Sequence, residues 1–119
     1  MGHESGLPPD LPLSERGQFY EGIRRRVSCR LSEGALRICD EWGISGVGLV
    51  GRIQDHFAQG FRVYRKPAGH AGDRFLPWAC QANVRIHESL QIYVSLFIRD
   101  NSVLDINAHP HTSHLILPR

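Results

Sequence analysis

Residues 90–99 read LQIYVSLFIR, and the alternation in them is unbroken. Leu90, Ile92, Val94, Leu96 and Ile98 fall on one face; Gln91, Tyr93, Ser95, Phe97 and Arg99 fall on the other. A period of two, rich in β-branched and aromatic residues, specifies a half-buried strand rather than a helix. A second strand follows the turn residues Asp100-Asn101-Ser102, with Leu104, Ile106 and Ala108 inward and Asp105, Asn107 and His109 outward. Upstream, Val84 and Ile86 turn inward, so Arg85 and His87 face out. Residues opposite one another on antiparallel strands share a face. A three-residue loop sets Arg99 against Val103 and Tyr93 against His109. The same logic upstream sets Arg85 against Tyr93 and His87 against Gln91. The expected meander therefore carries Arg85, Tyr93 and His109 in one row across an exposed face, with His87, Gln91 and His111 in the next.

Working back from this sheet, Phe61 to Arg65 (FRVYR) alternates and predicts a first strand, while Trp78 to Gln81 reads equally as loop or strand. Between them, Lys66 to Pro77 is rich in Gly and Pro and carries His70, Asp73 and Arg74. Loops of that length are usually functional or mobile. The N-terminal half reads as helices. Ser32 and Ser45 are N-cap residues, and Gly43 and Gly60 are placed to close the two helices they open. Ala35, Leu36, Cys39 and Trp42 form the expected buried stripe of one helix; Val47, Val50, Ile53 and Phe57 form that of the other. An earlier helix is expected over 15–27, capped by Ser14, with Phe19, Ile23 and Val27 inward and Glu15 in a first turn that favours anions. Arg24, Arg25 and Arg26 stand at its end, where cations suit the helix dipole. Residues 1–13, with Pro8, Pro9 and Pro12, read as a flexible arm, and 14–119 as a single domain. Leu115-Ile116-Leu117 is expected to add a short edge strand or dock on the core. Helices first and then an antiparallel sheet of about four strands define the α+β class.

The 119 residues suffice for one domain with a modest core, and 41% hydrophobic with 22% charged residues is ordinary for a globular chain. A net charge of +2 permits contact with nucleic acid without requiring it. Seven histidines are the more unusual feature, because they add positive charge below about pH 6.5. Cys29, Cys39 and Cys80 are odd in number and lack Cys-x-x-Cys spacing, which argues against a disulfide framework or structural zinc. Reduced thiols, no signal peptide in MGHESGLPPDLPL and no apolar run near the ~20 residues of a membrane span lead to a cytoplasmic expectation.

Cleavage of RNA without a metal needs a base for the 2′-hydroxyl proton, an acid for the leaving 5′-oxygen and cations for the phosphate. Histidine serves as either acid or base near neutral pH, arginine offers a planar fork, and tyrosine donates a hydrogen bond or stacks. His87, Tyr93 and His109 are therefore the candidate catalytic residues, with Arg65, Lys66, Arg85 and Gln91 as RNA contacts. The bland account is that the outer face of a half-solvated sheet is polar in any case. His109-x-His111 with His114 could gather Zn, Ni or Cu. No Cys or Glu is fixed beside that group by spacing, so weak surface binding is expected there and no metal or cofactor is assigned. His56 is expected on the surface of its helix, and Cys39 in the core. Gly43, Gly46, Gly48 and Gly51 lack the preceding strand of a dinucleotide fingerprint.

Two segments resemble the small RelE/BrnT-like and motility-quorum-sensing-regulator-like ribonuclease toxins. The first is Ser32 to Ile53, SEGALRICDEWGISGVGLVGRI; the second is Phe61 to Lys66, followed by Trp78 and the hairpin from Ile92 to Asn107. Gly34 stands where such sequences often carry histidine, and Trp42 where they often carry a charge. The resemblance implies a helix pair leading into a curved antiparallel sheet, a metal-independent endoribonuclease and neutralisation by an antitoxin. It matches Lys66 and Tyr93 to active positions; the histidines would be this sequence's own solution. The competing expectation is a non-enzymatic binding protein, such as a phage- or plasmid-encoded inhibitor or immunity protein acting through the same face.

Overall fold

The alternating stretch is the middle strand of a five-stranded sheet. The computed structural model describes residues 8–25, 29–67, 77–87, 90–99, 103–110 and 117–119. In them the chain runs α1 (Leu13–Arg24), β1 (Cys29–Leu31), α2 (Glu33–Trp42), α3 (Gly46–Ala58), β2 (Tyr64–Pro67), β3 (Trp78–His87), β4 (Leu90–Arg99) and β5 (Val103–Pro110). Strand order is β1-β5-β4-β3-β2, antiparallel throughout except that β1 runs parallel to β5. The fold is α+β, with three helices against one face of the sheet and a radius of gyration of 13.7 Å, close to the ~13.5 Å of a compact chain this long.

Local chemistry sets the helix ends. The hydroxyl of Ser32 accepts from the Ala35 N–H at 3.1 Å, and Gly43 ends α2 in the left-handed region at φ +67°. Ser45 does the same for α3 through the Gly48 N–H, at 2.9 Å. The first helix begins earlier than expected: Pro12, not Ser14, precedes it, and no side chain caps it. Proline fixes φ near the helical value and supplies the carbonyl that the Arg16 N–H meets.

The buried stripes differ in part from those expected. On α2, Ala35, Ile38 and Cys39 are buried, while Leu36 and Trp42 are exposed. On α3, Leu49, Val50, Ile53, His56 and Phe57 are buried and Val47 is exposed. Both helices carry apolar side chains around much of their circumference, so the period leaves the face open and the sheet selects it. From the sheet come Cys80, Ala82, Val84, Ile86, Ile92, Val94, Leu96, Leu104, Ile106 and Ala108, which close the core with these helices. Each fully buried Leu or Ile contributes roughly 1.5–3 kcal/mol.

The β4–β5 register is as expected, with Arg99 opposite Val103 and Tyr93 opposite His109. The β3–β4 register is not. Tyr93 faces Asn83, and Arg85 faces Gln91, two residues from the expected pairing; a bulge between Arg85 and His87 then sets His87 against Leu90. A slip of two preserves both faces, so the hydrophobic pattern is blind to it and the turn decides. The strand before β3 starts at Tyr64 rather than Phe61, and β1 was not expected at all. Residues 9–11, the end of the arm segment, lie along β2: Leu11 N–H donates to the Val63 carbonyl at 3.0 Å, Arg65 N–H to that of Pro9 at 2.8 Å, and Leu11 is buried. This covers a strand edge that would otherwise present bare backbone. No helix among the described residues is long and apolar enough to cross a membrane.

Candidate functional site

Alternation sends Tyr64, Gln81, Asn83, Arg85, Gln91, Tyr93, Asn107 and His109 to the face opposite the helices. Part of that face is covered. Leu117 is fully buried against Tyr64 and Tyr93, forming a second small core. The segment is pinned by two hydrogen bonds at 2.9 Å: Tyr64 Oη–H donates to the Pro118 carbonyl and Asn83 Nδ2–H to that of Leu117. Tyr93, a candidate catalytic residue of an exposed face, is 2% exposed. Its ring meets His109 edge-on, with centroids 5.5 Å apart. The Pro110 carbonyl, which can only accept, lies 3.3 Å from His109 Nδ1. A proton on Nδ1 leaves the lone pair on Nε2.

The remaining candidates divide. Arg85 and Gln91 are directly paired across β3 and β4, with Arg85 exposed, and Gln91 is one outward position along β4 from Tyr93. His109 thus sits diagonally from Gln91 at the usual ~7–8 Å of such neighbours. Arg65 is on the opposite face. Its guanidinium grips Glu15 with two contacts of 3.0 Å and lies 3.6 Å from the Trp78 ring centroid, which ties α1 to β2. Lys66 does face outward but lies over the Phe97 ring, and burial lowers its pKa. It is paired with Ala79, six residues from Arg85 along β3, or about 20 Å at ~3.4 Å per residue. The backbone of His87 pairs with Leu90, and its side chain lies outside the described residues. So do His70, Asp73, Arg74, His111 and His114, which leaves the three-histidine group without a described geometry. Among the described residues no group of three His, Cys, Asp or Glu converges on one point.

Sequence reasoning missed a different feature of the same end of the sheet. β2 pairs with β3 only from Trp78 to Gln81. Beyond it the chain before β2 diverges towards α3, and a cleft of about 170 Å³ opens between them. Arg52, His56, Phe61, Arg85 and Arg119 line it, with Asp55 the one acidic side chain among its described residues. His56 is 3% exposed, not on the surface as expected, and its Nε2 lies 2.8 Å from the Arg62 carbonyl. That carbonyl must accept, so Nε2 carries a proton. Burial first, and the charges of Arg119 and Arg16 besides, lower the His56 pKa, although the Arg62 carbonyl works against this. These residues come from α3, a connecting segment, β3 and residue 119, and no linear spacing links them.

Compared with protein-family models, curated proteins and solved structures, the chain has no match.

Proposed function

We propose that this protein acts on RNA in the cytoplasm, holding the phosphodiester backbone at Arg85 and Gln91 and cleaving it without a metal through His109. The observation that supports this most is the pairing of Arg85 with Gln91 beside a half-exposed His109 on one outward face. Arg85 would neutralise the phosphate with a bidentate fork, and Gln91 would offer both a donor and an acceptor to a base or ribose. Nε2 of His109 would take the 2′-hydroxyl proton, the 2′-oxygen would attack phosphorus, and the 5′-oxygen would leave with a proton from a second acid. Three free cysteines, two of them buried, accord with a reducing compartment. An antitoxin or inhibitor protein is the expected partner, covering this same face.

One observation favours a second reading. Tyr93 is sealed beneath Leu117, so His109 is the only imidazole among the described side chains of that face. Binding without cleavage, by a protein that blocks or sequesters its partner, asks for no second acid–base group.

Total RNA incubated in EDTA separates the two, with wild type beside His109→Ala and Arg85→Ala. Cleavage that His109→Ala abolishes supports the ribonuclease. RNA left intact by the wild type, with free expression of the protein in cells, supports the second reading, an inhibitor or immunity protein acting through the same face. RNA neither cut nor bound by the wild type removes RNA from the account. Tyr93→Phe is expected to leave cleavage within about twofold, because a ring with 2% exposure does not reach a substrate.

A further inference from the structure

We propose that the cleft between α3 and the open edge of β3 binds a single phosphate-type oxyanion, gripped by Arg119 and flanked by Arg85 and Arg52. This site shares only Arg85 with the proposed RNA-cleaving face and rests on its own geometry.

Arg119 is held in place by an aromatic ring. Its guanidinium lies over the Phe61 ring, 4.2 Å from the centroid, and the His56 ring lies 5.4 Å from Phe61. Stacking fixes the plane of the fork, so little side-chain freedom is left to lose when an anion arrives. Yet Nε of Arg119 is buried and meets no hydrogen-bond acceptor among the described residues. Arginine keeps its proton at any accessible pH, so this donor cannot escape the desolvation cost by becoming neutral. A buried N–H of a charged group left unsatisfied is costly, and native structures seldom carry one without a ligand or water to meet it. Burial, and then the charge of Arg85, disfavour the Arg119 cation further. Asp55 also lines the cleft, but it is one acidic side chain against three guanidiniums.

The shape limits the ligand. At about 170 Å³ the cleft falls below the ~300 Å³ where pockets for drug-sized molecules begin. A tetrahedral oxyanion, with acceptor oxygens pointing in several directions, suits forks that approach from α3, β3 and residue 119. A planar carboxylate would satisfy one fork and leave the others. The phosphate can come from a free monoester or inorganic phosphate, or from an RNA backbone threading past the sheet edge.

The test is a titration of the full chain at constant ionic strength, following the arginine Nε–H signals by nuclear magnetic resonance. One arm adds inorganic phosphate; the other adds a short RNA without terminal phosphates. A saturable shift of the Arg119 Nε–H signal in either arm is expected, and the arm in which it occurs identifies the source. Arg52→Gln, a change at an exposed position of α3, should weaken that binding by about tenfold, the loss of one charge-assisted contact. Arg119→Gln should abolish it, with circular dichroism confirming that the fold is kept. No saturable shift in either arm overturns the site, as does binding that Arg52→Gln leaves unchanged. Cleavage of RNA by the Arg119→Gln variant, which no longer binds phosphate, would leave the proposed ribonuclease standing while isolating the cleft as separate from it.

Discussion

His56 and Asp55 are adjacent polar residues on one helix, and they have opposite fates. Asp55 is exposed; His56 is wedged between Phe57 and Phe61 with its Nε2–H on the Arg62 carbonyl. Burial first, with the charges of Arg119 and Arg16 besides, holds its pKa below the ordinary 6.5. The linkage follows directly. The unfolded chain takes up a proton as pH falls through about 6.5, and the folded chain does not, so stability is lost over that range and levels off below the folded value. Urea unfolding at pH 7.5 and 5.5 should show a drop in midpoint for wild type that is smaller in His56→Gln, which keeps a donor for Arg62 and cannot titrate. An equal drop in both would show that His56 is protonated in the folded protein. The sequence could not have revealed this burial, because the helix period places His56 three residues from Ile53 but also next to the polar Asp55. Which face turned inward depended on the sheet.

At the scale of elements, caps were legible and contacts between elements were not. Ser32 and Ser45 cap their helices as their positions before the apolar periods suggested. They differ in one respect: the Ser32 hydroxyl also donates to Asn107 Oδ1 on β5, at 2.7 Å. Ser45→Ala should cost about 1 kcal/mol, and Ser32→Ala more, since it also removes the hydrogen bond that ties α2 to Asn107 Oδ1, which then keeps only the Ala108 N–H. Chemical denaturation of the pair measures the difference, and equal losses would remove the β5 tie from the account. The same contact explains Gly34. A Cβ there would stand 3.0 Å from both the Ala108 carbonyl and Asn107 Oδ1, one part of a strand backbone and the other already held by Ser32. Gly34→Ala, which would stabilise an open helix by about 1 kcal/mol, should therefore destabilise this protein. Strand β1 escaped notice for a related reason. Three residues are too few to display alternation, and its partner Leu104 is 75 positions away from Cys29.

At the scale of the whole molecule, segments distant in sequence meet on β2 and the outer sheet face. Residues 9–11 run along β2 at its edge, and Leu117 closes over Tyr64 and Tyr93 from outside. Leu117→Ala should cost roughly 2–5 kcal/mol, as a fully buried leucine does, and should open Tyr93 to nitration. A variant with unchanged stability and an unreactive Tyr93 would mean that another segment seals the ring. The sequence by itself determined the class of fold, the inward and outward faces of β4 and β5 and their mutual register, and the caps of α2 and α3. Those follow from local periods and from residues whose backbone preferences act within a few positions. Tertiary structure alone decided the row in which Arg85 sits, the burial of Tyr93 and His56, the removal of Arg65 to the helix face, and the meeting of Arg52, Arg85 and Arg119. A two-residue slip leaves every face unchanged, and a cleft built from separate elements has no spacing of its own; both depend on where whole elements pack, which the local pattern does not encode.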